Sequence, residues 1–202
     1  MRELFVQSLQ SQTKTFGTSM KTFWDRLYAQ IVFFPTLWWN MLLGRVIGIR
    51  QWWNLVDENV ILGAYPFPND VRQLDQLGVG AVVNTCEEYE GPIKEYDYFK
   101  IDQCRIPTTD FTHPSLEDVE TAVAFMEAKI AEGSKVYVHC KAGRARSATI
   151  VACYFIKAKN LTAITAQQIM QKHRPHINPK IYERPVVRAF ENKYLRNKAS
   201  TT

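Results

Sequence analysis

The 202-residue sequence predicts an α/β domain, a mostly parallel central sheet with helices on both faces. Three observations carry that expectation. Short apolar runs bounded by Gly, Pro or polar residues recur from residue 59 onward, a long stretch of helical periodicity separates the last two of them, and further helical patterns follow. Strands that alternate with helices favour parallel pairing and place ligands at the carboxyl ends of the strands.

Taken in order, the apolar runs are NVILGA (59–64), VGAVVNT (79–85), YFKIDQCRI (98–106) and KVYVH (135–139). Between the last two, Ser115 and Asp118 have the spacing of a capping box, and Leu116, Val119, Val123, Met126 and Ile130 recur at helical spacing. Gly133 is placed to end that helix. Further helices are expected from near Arg146, Thr165 and Arg184. This α/β domain is assigned to residues 51–196, with a loose tail at 197–202.

Ahead of it lie two segments of different character. Residues 1–26 contain only Glu3 and Asp25 as acids among Arg2, Lys14, Lys21, Arg26 and many Ser and Thr, a composition suited to a mitochondrial targeting segment. Residues 27–50 open with LYAQIVFFPTLWWNMLL, an uncharged run closed by Arg26 and Arg45 and interrupted by Pro35. Its length sits at the lower limit for a spanning helix, and the tryptophan pairs Trp38–Trp39 and Trp52–Trp53 near Arg45 and Arg50 favour the lipid headgroup level. An interfacial or re-entrant membrane anchor is favoured there, ahead of a docked core helix and a full span. The net charge of +5 and pI near 9.0 favour anionic partners in general. Four cysteines without metal-ligand or CxxC spacing point to a reducing compartment.

Chemistry concentrates in VHCKAGRARSAT, Val138–Thr149, where a strand hands over to a helix. A loop of Lys141, Ala142, Gly143, Arg144 and Ala145 at that junction aims backbone N–H groups inward, and the helix adds its positive end, so a phosphate dianion can be wrapped without a metal. Gly143 allows a backbone conformation closed to other residues. Arg146 grips two phosphate oxygens with a planar fork. The same dipoles lower the Cys140 thiol from ~8.5 to between ~3.5 and ~7.5, making it a nucleophile near neutral pH. Ser147 is placed to donate to the sulfur as it leaves, and His139 to brace the loop through hydrogen bonds. A leaving alkoxide needs a proton, and Asp110, in the loop after the third apolar run, is the expected general acid and later base. Asp102 and His113 are its competitors.

His-Cys-x5-Arg-Ser with an upstream loop aspartate resembles the cysteine-dependent dual-specificity phosphatases. A narrower resemblance runs from FFPTLWWNMLLGR through VDENVILGAYPFPNDVRQL, EEYE and IPTTDF to HCKAGRARSAT. It is similar to the mitochondrial family that dephosphorylates phosphatidylglycerophosphate on the way to cardiolipin. That resemblance implies Cys140, Arg146 and Asp110 as catalytic cysteine, arginine and acid, Glu87 to Glu90 as the family's Glu-Glu-Tyr-Glu motif, and a matrix-facing enzyme on the inner membrane. Glu87 is expected to lock Arg146 in a bidentate pair, or else to belong to a solvated loop. Cys86 departs from the family's usual asparagine. Lying at a strand end expected to neighbour the strand leading to Cys140, it is either a reversible disulfide partner protecting the nucleophile or a small buried thiol.

The expected partners are a phospholipid substrate and a membrane surface, with no cofactor and no metal. Lys141 and Arg144 would suit a headgroup that carries a second phosphate. A dual-specificity protein phosphatase or a phosphoinositide phosphatase is the alternative. An RNA 5′-triphosphatase shares the signature, but no interleaved aromatic and basic pattern supports nucleic-acid binding.

Overall fold

The computed structural model describes residues 51–196. The expected targeting segment (1–26), the membrane-associating segment (27–50) and the tail (197–202) lie outside them. Five strands form one sheet in the order β1-β2-β5-β3-β4. They are β1 (Trp53–Asp57), β2 (Val60–Gly63), β3 (Val79–Cys86), β4 (Asp102–Thr108) and β5 (Lys135–His139). Only the edge strand β1 pairs antiparallel, with β2; the other pairings are parallel. The mostly parallel α/β architecture is therefore the one expected.

Period-two alternation divides the side chains between two cores. Val60, Leu62, Val136 and Val138 face the larger core, beneath α3 (Leu116–Ala131), α4 (Arg146–Lys159), α5 (Ala163–His173) and α6 (Pro185–Glu191). Their neighbours Ile61 and Tyr137 face the smaller core, beneath α1 (Pro68–Gln76) and α2 (Ile93–Phe99). Helix α4 is buried continuously from Arg146 to Ile156, which fits its nearly unbroken apolar sequence. The predicted capping box is present on α3: Ser115 Oγ accepts from the Asp118 N–H, and the Asp118 carboxylate accepts from the Ser115 N–H. Gly133, with φ +88°, follows the end of that helix.

Three elements depart from the sequence expectation. The strand expected to start at residue 98 starts at Asp102, because residues 93–99 form α2 and Lys100, with φ 55°, turns the chain in a left-handed conformation. Helix α1 carries only Val71 and Leu74 as buried apolar residues, too few to announce a helix. Strand β1 adds a fifth, antiparallel strand whose register runs Trp53↔Gly63, Asn54↔Leu62 and Leu55↔Ile61. Among the described residues, no helix is long and apolar enough to cross a membrane.

Candidate active site

Strand β5 delivers Cys140 to the carboxyl edge of the sheet, and the chain turns through residues 140–145 into α4. No side chain caps that helix: its N-cap, Ala145, makes no side-chain hydrogen bond. The free donors point to sulfur instead. Burial raises the Cys140 pKa, but the Arg146 charge, the Ser147 hydroxyl and the backbone N–H groups of Ser147 and Arg144 outweigh it, lowering the value from 9.0 to about 7. Ser147 Oγ donates to Cys140 Sγ at 3.3 Å. A buried thiol at the foot of an N–H-lined loop is thus about half ionised near neutral pH.

Gly143 is needed twice over. Its φ is +63°, in the region that favours glycine, and a Cβ there would lie 2.3 Å from the Gly63 carbonyl oxygen. Loop and β2 terminus therefore touch backbone to backbone.

Arg146 is 2% exposed and held from three sides. Nη1 and Nη2 donate to Glu88 Oε2 and Oε1 at 2.8 and 3.0 Å, Nη1 also donates to the Thr108 carbonyl at 2.7 Å, and Nη2 lies 3.2 Å from Asp110 Oδ1. The bidentate partner is Glu88, and the expectation for Glu87 is corrected. Past the end of β3, adjacent side chains turn to different neighbours. Glu87 accepts from Thr109 Oγ1 at 2.6 Å, bracing the loop that carries Asp110, while Glu88 turns to Arg146.

Asp110 also pairs with Lys141, whose ammonium sits 5.7 Å from the centre of the Phe111 ring. Lys141 is buried and engaged with this aspartate, not spread along the mouth of the loop. Of Asp110's competitors, Asp102 pairs with Lys129, and the His113 ring contacts the adjacent Pro114 carbonyl; neither lines the cavity that holds Cys140.

His139, expected to brace the loop, directly precedes the nucleophile at the end of β5. It is fully buried, and neither ring nitrogen has a hydrogen-bond partner of good geometry among the described residues. Burial lowers its pKa to about 3, the Cys140 backbone opposing and the Arg146 charge adding to the shift, so the ring stays neutral. Its ring centre lies 5.7 Å from that of Tyr137. Cys86 and Cys140 are both free thiols. Burial pushes the Cys86 thiol well up, the Arg146 charge opposing in part, so Cys86 stays protonated at neutral pH.

Two arginines escaped the sequence reading. Arg174, 1% exposed, follows α5 and reaches behind the loop. Its Nε donates to the Gly143 carbonyl at 2.8 Å and Nη2 to the Ala142 carbonyl at 3.1 Å; Nη1 donates to the Gln51 carbonyl at 3.1 Å and to Asn54 Oδ1 at 2.6 Å. Arg184, between the 3₁₀ turn Ile181–Glu183 and α6, lines the cavity itself. That cavity, about 420 Å³, is walled by Asp110, Phe111, the loop from Cys140 to Arg146 other than Gly143, and Asn178, Pro179 and Arg184. No group of three or more His, Cys, Asp or Glu side chains among the described residues could hold a metal ion.

A thiolate facing a guanidinium fork, ringed by N–H donors and flanked by a carboxylic acid, is equipped for nucleophilic displacement at a phosphomonoester. The family comparison agrees: residues 60–193 match the dual specificity phosphatase catalytic domain. The chain belongs to that family. Within it, the chain is 38% identical over 164 residues to phosphatidylglycerophosphate phosphatase PTPMT2 of Arabidopsis thaliana, covering 80% of this chain and 72% of that protein. It is also 38% identical over 172 residues to phosphatidylglycerophosphatase and protein-tyrosine phosphatase 1 of Mus musculus, covering 80% and 89%. The crystal structure of PTPMT1 in complex with PI(5)P superposes with a TM-score of 0.67 at 35% identity, covering 74% of this chain and 99% of that one.

Proposed function

We propose that this dual-specificity-type phosphatase removes the terminal phosphate of phosphatidylglycerophosphate through a cysteinyl-phosphate intermediate, yielding phosphatidylglycerol and inorganic phosphate. The observation that carries this reading is the single cavity lined by Cys140, Arg146 and Asp110, in a chain 38% identical to two enzymes named for that reaction.

In the first step Cys140 Sγ attacks phosphorus, and the S–P bond forms as the bond from phosphorus to the glycerol oxygen breaks. Arg146 and the loop N–H groups take the equatorial oxygens, whose charge they match. An incoming dianion competes with Asp110 for Lys141 and Arg146 and frees the carboxyl to face the leaving oxygen. Asp110, in its protonated form, gives its proton to that oxygen. In the second step Asp110 takes a proton from water, the water oxygen attacks phosphorus, and Cys140 departs as a thiolate that accepts the Ser147 hydrogen bond. Glu88 holds Arg146 square to the phosphate throughout.

Residues 27–50 would hold the domain at the matrix face of the mitochondrial inner membrane, in the service of cardiolipin formation, after residues 1–26 have directed import. Support for this comes from the charge-free aromatic run and the acid-poor N-terminus. Phosphoinositides are the second reading, favoured by the relative whose structure holds PI(5)P.

The deciding assay is inorganic phosphate release in mixed micelles from phosphatidylglycerophosphate, PI(5)P and a phosphotyrosine peptide, with Cys140→Ser as blank. Highest kcat/KM on phosphatidylglycerophosphate is expected. Preference for PI(5)P or the peptide would leave the chemistry of Cys140, Arg146 and Asp110 in place and reassign the substrate. Retention of the full chain, but not of a chain lacking residues 1–50, on sedimenting vesicles of inner-membrane composition is expected for the anchor.

A further inference from the structure

The cations around the cavity are unequally engaged. Arg146 is bound to Glu88 and Asp110, and Lys141 to Asp110. Arg144 Nε donates to the His176 carbonyl at 2.7 Å. Arg184 stands apart from this carboxylate network. Its Nη1 donates to Thr149 Oγ1 at 2.9 Å, and that hydroxyl in turn donates to the Ala145 carbonyl at 2.9 Å. The guanidinium is thereby fixed to the first turn of α4, beside the phosphate loop. Its Nε and Nη2 have no partner among the described residues, and no carboxylate pairs with it there.

A half-buried arginine without a carboxylate is an expensive arrangement unless an anion arrives from outside. Burial lowers the Arg184 pKa, and the Cys140 charge acts in the opposite direction, so the two groups sense each other across the cavity. The group is nevertheless charged at any physiological pH, since an arginine this exposed keeps its proton. A site that engages one phosphate at Cys140 and leaves a second, unneutralised fork on another wall of the same cavity is built for a ligand with two phosphates.

We infer that Arg184 is a specificity-determining residue that binds the second phosphate of the substrate, the internal phosphodiester, while the terminal phosphate sits on Cys140 and Arg146. This inference deepens the proposed function and rests on it. It moves the second-phosphate contact from Lys141 and Arg144 to a residue of the segment after α5, because Lys141 beside Asp110 is released only to the terminal phosphate and Arg144 Nε is bound to the His176 carbonyl. The phosphodiester carries a single negative charge and two free oxygens, which suits the two donors, Nε and Nη2, left on one edge of the Arg184 fork. A phosphotyrosine side chain offers no such second anion and would leave that fork unmatched.

The test uses two water-soluble substrates, so that membrane binding plays no part. One is the deacylated headgroup, glycerophosphoglycerol phosphate, which has both phosphates; the other is glycerol 3-phosphate, which has the same kind of leaving oxygen and one phosphate. Wild type and Arg184→Gln are compared by the ratio of kcat/KM on the first to kcat/KM on the second, which cancels any loss of folded protein. The substitution is expected to lower that ratio roughly tenfold, chiefly through KM for the two-phosphate substrate, the size of a lost charged hydrogen bond. An unchanged ratio in Arg184→Gln, with wild type still preferring the headgroup, would overturn the inference and spare the proposed function. A wild-type enzyme that shows no preference for the two-phosphate headgroup would overturn both.

Discussion

Two nearly inaccessible arginines flank the phosphate loop, and they are held in opposite ways. Arg146, on the cavity side, is gripped by the carboxylates of Glu88 and Asp110. Arg174, behind the loop, grips the carbonyl oxygens of Ala142, Gly143 and Gln51 and the amide oxygen of Asn54. The difference separates two tasks. A cation held by anions can exchange one of them for a substrate anion of like charge, so Arg146 is poised for turnover. A cation held by main-chain dipoles stays with the protein, so Arg174 fixes the loop's shape and takes no part in exchange.

Substitutions that break each half of this comparison should differ in kind. Arg146→Lys replaces a fork with a point charge and is expected to lower kcat/KM for nitrophenyl phosphate by on the order of 10³, about 4 kcal/mol, with little change in urea midpoint. Rates near wild type would remove the bidentate clamp. Next in size, Arg174→Met strands several buried carbonyl oxygens and should destabilise the fold by about 3 kcal/mol in urea unfolding. A stable Arg174→Met protein with normal kcat would mean the loop holds its shape without a backing residue.

A smaller effect is expected for Glu88→Gln, which keeps the shape of the bidentate partner and removes its charge. A loss of about tenfold in kcat/KM would show that charge holds Arg146 in register; no loss, alongside a loss in Glu87→Gln, would return that role to Glu87. The smallest is Ser147→Ala. Iodoacetamide alkylation of Cys140 should rise with pH through a midpoint near 7 in the wild type, because the thiolate reacts and forms above its pKa. Removing the Ser147 donor takes a stabilising bond from the thiolate, so the midpoint should move up by about half a unit. A downward shift would contradict the 3.3 Å contact.

Where chemistry and local pattern coincided, the sequence was readable. Cys140, Gly143, Arg146 and Ser147 sit in one unbroken stretch, and the strand before it and helix after it are long and apolar enough to be recognised. Asp110 was legible because the Cys140 signature downstream demands an acid; without that nucleophile an ordinary turn aspartate would be the natural reading. The choice between Glu87 and Glu88 depended on how the chain turns after β3, which adjacent identical residues cannot reveal. His139 read as a hydrogen-bonding residue from its type, and its burial with the ring set against Tyr137 was not visible in the sequence. Arg174 and Arg184 lie well past the signature, at the ends of helical patterns that say nothing of a site, and only the return of the chain from α5 to the loop gives them a function. Helix α2 was hidden by its length of seven residues.

The contacts of Arg174 also set where a self-sufficient version of the catalytic unit can start. The family match begins at Val60, but the oxygens of Gln51 and Asn54 and the pairing of β1 with β2 belong to the same folded body as Cys140. A chain trimmed to the matched residues would lose its edge strand and expose the Arg174 guanidinium that shapes the loop from behind. For expression, for fusion to other proteins and for grafting this domain, Gln51 is the latest sound starting point.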